Sequence, residues 1–242
     1  MLYDKIGRTY SGRREADPRI AAAIWLALNG SASILNVGAG SGSYEPRSKS
    51  VVALEPSRTM IAQRPHGAAP VVQGVVESLP FRDNSFDAVL GILTVHHWKN
   101  KEEGFSECRR VARSQVVFLT IDFDVCEQFW LFDYFPELVA DRHIFPRIEQ
   151  YADSFGSVEL ISIPIPADCR DGFLGAYWKR PGAYLDPLVR GSISTFSKMG
   201  NVEANLTRLE SDIESGTWHR RYSSLQDLTA VDLGYRLVIA RK

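Results

Sequence analysis

Short apolar runs alternate with segments of helical spacing along the first half of the chain. A buried strand is predicted where about four to eight apolar residues occur together and end at a turn signal. Such runs cover residues 33–37, 51–54, 71–76, 86–93 and 116–121. Helices are predicted at 57–64 and 101–112, between these runs. Apolar strands that alternate with helices indicate an α/β fold with a parallel, doubly wound sheet.

A helix is predicted before the first strand. Asp17 is the expected N-cap, Pro18 takes the first helical position, and Gly30 suits the left-handed residue after the helix. Ile20 and Ile24 lie one turn apart, so they give the helix an apolar face for the sheet.

The pattern is less regular in the second half of the chain. Strands are predicted at 158–163 and 235–240, and a helix at 201–215. Residues 165–230 connect the two strands and are far longer than such a connection needs. We therefore expect one domain, residues 1–242, in which 165–230 form a cap over the sheet on the acceptor side.

Composition and charge exclude several classes of partner. The chain has 28 basic and 29 acidic residues, a net charge of −1, so neither nucleic acid nor an anionic membrane is an expected partner. Cys108, Cys126 and Cys169 are too widely spaced for a disulfide framework or a zinc site. The N-terminus is polar, and no apolar run reaches about 20 residues. We expect a cytoplasmic protein with no metal.

The candidate chemistry lies at the ends of the first two strands. The loop 38–42, Gly-Ala-Gly-Ser-Gly, follows the first strand, and Glu55 ends the second. Glycines let the backbone approach a ligand, and a carboxylate beside them can accept hydrogen bonds from both hydroxyls of a ribose. Each feature alone is explained by a tight turn or a solvated acid, but together they favour a ribose site. Ser43 replaces the third glycine of the dinucleotide fingerprint, which disfavours a nicotinamide-dependent oxidoreductase.

Several ordered motifs occur together in the first half of the chain. They are ILNVGAGSG (34–42), VVALEPS (51–57), GVVESLPFRDNSFDAVLGILTVHHW (74–98), ECRRVAR (107–113) and YDKIGRTYSGRREADPRI (3–20). In this order they resemble the motifs of the class I S-adenosylmethionine-dependent methyltransferases of the type 11 group. The resemblance covers residues 1–122. It implies a Rossmann-like sheet, mostly parallel with an antiparallel last strand, and an N-terminal lid over residues 1–16.

The resemblance also implies S-adenosyl-L-methionine as the cofactor and assigns residues to it. Gly38, Ala39, Gly40 and Gly42 are expected around its methionyl part, and Glu55 at its ribose. The other expected contacts are Pro56, Met60, Val76 and Glu77 at the adenine, Gly91 and Ile92 near the sulfonium, and Tyr10 and Arg14 from the lid. In this assignment the arginine meets the cofactor carboxylate.

Two departures from the family pattern affect the cofactor site. Val75 occupies the position where many members have an acid for the adenine amino group. Residues 43–50 are too few for the long helix that usually follows the glycine loop. We therefore expect a smaller helix-dipole contribution at the cofactor carboxylate.

A histidine after the fourth strand is the candidate catalytic residue. His97 lies in His96-His97-Trp98, and an imidazole suits the removal of a proton from an oxygen or nitrogen acceptor. The alternative is that the two histidines only cap the strand and pack with Trp98.

Four cap residues are the candidate acceptor-binding set: Asp171, Tyr177, Trp178 and Arg180. Aromatic surface with opposite charges suits a pocket for a small molecule, and equally suits the packing of a cap on the sheet. We expect methyl transfer to a small-molecule acceptor. One alternative is a non-catalytic member that binds cofactor or a protein partner. The other is a nicotinamide-dependent oxidoreductase, which is further disfavoured because this sequence has no catalytic Tyr-x-x-x-Lys motif.

Overall fold

The computed structural model describes residues 14–242. Its helices are α1 (Pro18–Ala27), α2 (Arg58–Ala62), α3 (Lys101–Val111), α4 (Phe123–Cys126), α5 (Leu131–Tyr134), α6 (Ile148–Phe155), α7 (Pro187–Gly191), α8 (Glu203–Glu214) and α9 (Thr217–Arg221). Its strands are β1 (Ser33–Val37), β2 (Ser50–Glu55), β3 (Val71–Gln73), β4 (Phe86–Ile92), β5 (Ala112–Ile121), β6 (Val158–Ser162), β7 (Ile165–Pro166), β8 (Ala230–Val231) and β9 (Tyr235–Arg241). Single turns of 3₁₀ helix include Val76–Ser78 and Val95–His97.

The main sheet has seven strands in the order β3-β2-β1-β4-β5-β9-β6. β1 to β5 pair in parallel, and β9 lies antiparallel between β5 and β6. The predicted fold, a mostly parallel doubly wound sheet with an antiparallel last strand, is therefore confirmed. The strand order reverses between β1 and β4, and in such sheets ligands bind beyond the carboxyl ends of the strands at this point.

The first helix forms as its sequence predicts. The Asp17 carboxylate accepts a hydrogen bond from the backbone N–H of Arg19 at 3.0 Å, which caps α1. The same side chain is fully buried and also accepts from the backbone N–H of Arg170. Burial alone would raise the pKa of Asp17, but hydrogen bonds from Arg19 and Arg170 lower it to about 2. Asp17 thus joins the start of α1 to the second half of the chain.

Two strand boundaries differ from the predicted ones by more than one residue. Val75 and Val76 are not in a strand, because β3 pairs with β2 only up to Glu55 opposite Gln73, where β2 ends. Val76 instead begins a 3₁₀ turn. β5 begins at Ala112 rather than at residue 116, because polar residues at 113–115 interrupt the apolar pattern in the first part of the strand.

The segment 165–230 closes on itself and packs beside the sheet. β7 and β8, at its two ends, pair antiparallel. Its aromatic residues pack on the helices that follow β5: the Trp130 ring lies 5.2 Å from Trp218 and 5.6 Å from Tyr184, measured between centroids. No helix within residues 14–242 is long and apolar enough to cross a membrane.

The capping role of Asp17 is testable by unfolding. Asp17→Ala should lower the free energy of unfolding by about 1–2 kcal/mol at pH 7, because the cap acceptor is lost. The folded pKa of about 2 lies below the ordinary value of 3.8, so the charged form contributes fully above pH 3.8. The difference between wild type and variant should therefore narrow as the pH falls towards 2.

Asp17→Asn is the matched control, because it keeps a cap oxygen and removes the titration. Urea unfolding between pH 7 and pH 2.5 measures both variants. A wild-type stability for Asp17→Ala at pH 7 would contradict the capping role.

Candidate active site

A cavity of about 250 Å³ lies at the carboxyl ends of β1, β2 and β4. The predicted site residues that line it are Arg14, Gly38, Ala39, Gly40, Glu55, Pro56, Met60, Val76, Glu77, Ile92 and His97. Three predicted cofactor residues are not among the lining residues. Gly42 and Gly91 do not line it, and Tyr10 lies outside the described residues.

The glycine loop passes too close to its neighbours for other side chains. Gly38 has φ +61°, and a Cβ there would stand 1.9 Å from Oγ1 of Thr94. Gly91 serves packing instead, since its Cβ would lie 2.7 Å from the ring of Phe118. A bulkier residue at either position would displace the loop or β4 from the cavity wall.

The Glu55 carboxylate is held against this loop. Its Oε2 accepts the backbone N–H of Gly40 at 2.8 Å, and its Oε1 accepts that of Ser57 at 2.9 Å. Glu55 is only 5% exposed, so these bonds fix its direction. A carboxylate offers about four acceptor positions, and this one also lines the cavity.

A buried ion pair contacts the glycine loop through the carbonyl of Gly40. No helix follows the loop, as predicted, and β2 begins at Ser50. The Arg64 guanidinium binds Glu45 at 2.7 Å and also donates to the carbonyl of Gly40 at 3.1 Å. Both charged side chains are less than 10% exposed. Glu45 and Arg64 were not predicted, because nothing in their spacing indicates that they meet.

These features coincide with a match to known proteins. Residues 35–120 match the family model described as "Methyltransferase domain". A candidate methyltransferase from an antibiotic biosynthesis pathway of Anabaena variabilis is 34% identical, over 95% of this chain and 99% of that protein, with a TM-score of 0.88. The chain belongs to the class I S-adenosylmethionine-dependent methyltransferases.

Other similar methyltransferases are more distant. A candidate histamine N-methyltransferase of Thermotoga maritima is 18% identical, with 68% of this chain and 84% of that protein covered and a TM-score of 0.55. The phosphoethanolamine N-methyltransferase 2 of Haemonchus contortus is 15% identical, with 100% and 56% covered and a TM-score of 0.55. The uncharacterized methyltransferase YcgJ of Bacillus subtilis is 28% identical over 100 residues, which are 37% of this chain and 40% of that protein. The chain thus aligns with less than half of that curated relative's length.

Arg14 of the methyltransferase is fixed by a buried carboxylate. Its Nε lies 2.5 Å from Oδ1 of Asp171, and the hydroxyl of Tyr44 donates to Oδ2 of the same residue at 2.8 Å. The Asp171 side chain is fully buried, and that of Arg14 is 12% exposed. Burial and the Asp171 charge raise the pKa of the Tyr44 phenol, so this hydroxyl keeps its proton. Asp171 therefore does not line the cavity itself but holds Arg14, which does.

The other predicted acceptor residues pack within the cap. The Trp178 indole N–H donates to the carbonyls of Ile165 and Pro166, and its ring is fully buried. Arg180 donates to the carbonyls of Cys169 and Ala176. Its guanidinium also lies 4.8 Å from the centroid of the Tyr177 ring.

None of Asp171, Tyr177, Trp178 and Arg180 is among the residues that line the cofactor-side cavity or the second cavity described next. The structure therefore favours the packing alternative for Trp178 and Arg180, because their polar atoms donate to carbonyls of the cap itself.

His97 lies on the cavity wall as a neutral imidazole. Burial lowers its pKa to about 4, and the positive charge of Lys198 adds to this effect. Burial and the adjacent His97 also lower the pKa of His96. At pH 7 both rings are uncharged, so each has a nitrogen that can accept a hydrogen bond.

A second, smaller cavity adjoins the first and shares Arg14 and Leu93 with it. Leu93 follows β4 with φ +48°, a conformation that non-glycine residues rarely adopt. Neither this cavity nor the lining residues Asn36, Tyr44, Leu93, Thr94 and Lys99 of the first were predicted. Among these residues only Asn36 could have been found from the sequence, because it is a polar residue inside an apolar strand.

No group of His, Cys, Asp or Glu within residues 14–242 has the arrangement of a metal site.

The buried pair of Arg14 and Asp171 makes a strong prediction for stability. Asp171→Ala should lower the free energy of unfolding by about 3–5 kcal/mol, because it leaves a buried arginine without its partner. Asp168→Ala is the matched control: its side chain is 81% exposed and pairs with Arg19 at the surface. That variant should lose far less stability, because an exposed ion pair is screened by solvent.

Urea unfolding of both variants and of the double variant Arg14→Met/Asp171→Leu tests this prediction. The double variant should be more stable than Asp171→Ala, because it removes both charges. Equal losses for Asp171→Ala and Asp168→Ala would contradict the role given to the pair.

Proposed function

We propose that this methyltransferase transfers the methyl group of S-adenosylmethionine to a small-molecule acceptor. The observation that carries the cofactor assignment is the buried Glu55 carboxylate, fixed beside a glycine loop at the reversal of strand order. Two backbone N–H groups orient it on the cavity wall, and a carboxylate in this position suits the hydroxyls of a ribose.

The rest of the larger cavity fits the other parts of the cofactor. Met60 and Val76 are buried apolar residues on its wall and suit an adenine face. Glu77 accepts the backbone N–H groups of Lys99 and Asn100 through Oε1, so it also fixes the start of α3. With Val75 in place of an acid, we assign the adenine amino group to Glu77 or to main-chain carbonyls.

Arg14 is our candidate for the cofactor carboxylate. Its guanidinium lies on the cavity wall and is oriented by Asp171. An arginine that is already oriented loses little side-chain freedom when it binds an anion. Asp171 is in this proposal a positioning residue, in place of the acceptor contact expected from the sequence.

The cofactor supplies an electrophilic methyl group, and the chain supplies alignment and proton handling. We assign the proton-accepting role to His97, because its ring lines the cavity and is neutral. A base with a pKa of about 4 is weak, so its main contribution is to accept the hydrogen bond of the nucleophile and direct its lone pair.

A small molecule is the proposed acceptor because the chain's charge is balanced. With a net charge of −1 and scattered basic residues, it offers no extended surface for nucleic acid. Its three buried, free cysteines suit a reducing compartment, so we propose the cytoplasm as its location.

Titration with S-adenosylhomocysteine tests the cofactor site. The wild type should bind this product, and Glu55→Ala should weaken binding by about 1–3 kcal/mol, because hydrogen bonds to a charged acceptor are lost. This corresponds to about a 5- to 150-fold rise in Kd. Glu102→Ala is the control. Because Glu102 is exposed on α3, this variant should bind S-adenosylhomocysteine as the wild type does.

Isothermal calorimetry with S-adenosylhomocysteine and, separately, with NAD gives the answer. Wild-type affinity in Glu55→Ala would remove the ribose assignment. Binding of NAD alone would replace methyl transfer by nicotinamide chemistry.

Transfer of a labelled methyl group tests the acceptor class and His97. With labelled S-adenosylmethionine and a cell extract, label should enter the small-molecule fraction and not protein or nucleic acid. His97→Gln should slow this transfer by about 10- to 100-fold, at or below the usual range for a general base. Its affinity for S-adenosylhomocysteine should change by less than about twofold, a difference below about 0.5 kcal/mol.

Label found only in macromolecules would overturn the small-molecule acceptor. Undiminished transfer by His97→Gln would leave His97 with a packing role alone. Cofactor binding without any transfer would favour a non-catalytic member.

A further inference from the structure

The second cavity adjoins the larger one beside Leu93, the residue after Ile92, which the resemblance assigns to the sulfonium side of the cofactor. It has a volume of about 50 Å³ and shares Arg14 and Leu93 with the larger cavity. Its floor is formed by Leu93 and Ile121, which stand at the carboxyl ends of the neighbouring strands β4 and β5. Its other walls come from the segments after β5 and from the cap.

Most of the lining is apolar. Phe123, Leu138, Phe145, Phe173 and Ile193 face this space. A cavity of this size holds about four water-sized groups, so only a short chain or one edge of a ring enters it. An apolar ligand binds favourably to such a wall, because apolar surface of both is removed from water.

The charged residues of the lining already have partners of opposite charge. Arg14 is paired with Asp171, and the proposed function already assigns it to the cofactor carboxylate. The carboxylate of Asp141 accepts from Oγ1 of Thr195 at 2.8 Å and from Nζ of Lys198 at 3.0 Å. An ionic acceptor would therefore lose its hydration without gaining a new counter-ion from residues 14–242 that line the cavity, which is costly.

One wall offers a flat surface and an uncharged polar atom together. The ring of His96 stacks on that of Phe145, with centroids 4.2 Å apart and planes 24° apart. Burial keeps the pKa of His96 low, so the imidazole is neutral and does not attract an anion. Stacked rings bind a further aromatic ring favourably, and the imidazole suits a hydroxyl or N–H group.

We propose that the second cavity binds the acceptor and selects an uncharged molecule with a small apolar end, such as a short alkyl group or one edge of an aromatic ring. The inference rests on the proposed function, because it takes the larger cavity as the cofactor site. In this proposal the acceptor contacts His96, Phe145 and the residues around them. Tyr177, Trp178 and Arg180, which were expected from the sequence, are not acceptor contacts.

Three phenols of similar size test the charge selection. They are p-cresol, which is neutral, 4-hydroxybenzoate, which is anionic, and tyramine, which is cationic at pH 7. Each is titrated into the protein saturated with S-adenosylhomocysteine, by calorimetry or by ligand-observed NMR. We expect p-cresol to bind at least about tenfold more tightly than either ion, a difference of about 1.4 kcal/mol. Equal or tighter binding of an ion, or no binding of p-cresol, overturns the proposal.

Two variants locate the binding. Phe145→Leu removes the ring that stacks on His96 and should weaken p-cresol binding severalfold. The matched control is Phe132→Leu: Phe132 packs against Phe123 with centroids 5.8 Å apart but is not among the cavity's lining residues. If Phe145→Leu does not fold, Leu174→Phe, which narrows the cavity, should weaken binding in the same way. Unchanged p-cresol affinity in a folded lining variant, or an equal loss in Phe132→Leu, overturns the location.

The outcome is distinguishable from that of the proposed function. Neither Phe145 nor Leu174 lines the larger cavity, so both variants should bind S-adenosylhomocysteine as the wild type does. Retained cofactor binding with no selective p-cresol binding refutes the acceptor inference alone. Absent cofactor binding in the wild type refutes the proposed function itself.

Discussion

The buried contact between Arg14 and Asp171 connects the parts of the chain that form the two cavities. Arg14 precedes α1, Asp171 belongs to the segment between β7 and β8, and Tyr44 joins them from the loop after β1. Because both cavities include Arg14, the shape of each depends on this contact. Burying these charges is costly, and they are stable only while each has its partner. The position of Arg14 between the two cavities therefore depends on its pairing with Asp171.

The glycine loop is an example of one support replacing another. In place of the long helix expected from the family pattern, Glu45 and Arg64 form an ion pair beneath the loop. Arg64 also donates to the carbonyl of Gly40, whose N–H is bound by Glu55. The loop is therefore held through main-chain groups on both sides. Such a support is rigid, but it depends on two side chains that meet only in the folded protein.

The sequence was sufficient for the sheet and for placing the loop at 38–42 and Glu55 beside one another. Strand and helix patterns are local, and the loop at 38–42 and Glu55 lie at strand ends whose positions the parallel order determines. Val75 and Val76 were misassigned because strand length depends on the partner: β2 ends at Glu55. No local pattern reports such a limit.

The acceptor half was less accessible to sequence analysis, because it is built from contacts between distant segments. Trp178 and Arg180 have the composition of a pocket, yet their polar atoms bind carbonyls of the cap itself. Phe145 and Ile193 line the second cavity from segments with no distinctive motif. Aromatic content thus indicates where large side chains pack, and the chain's path decides which of them remain open to a ligand.

The second cavity also contains a thiol, and its chemical state has a consequence for selectivity. Cys126 lines this space, and burial raises the pKa of its thiol to about 12. Thiolates are strong nucleophiles, whereas protonated thiols react slowly. An ionised cysteine at this position would be a competing target for an alkylating cofactor. The apolar surroundings that shape the cavity therefore also keep this thiol protonated and poorly reactive.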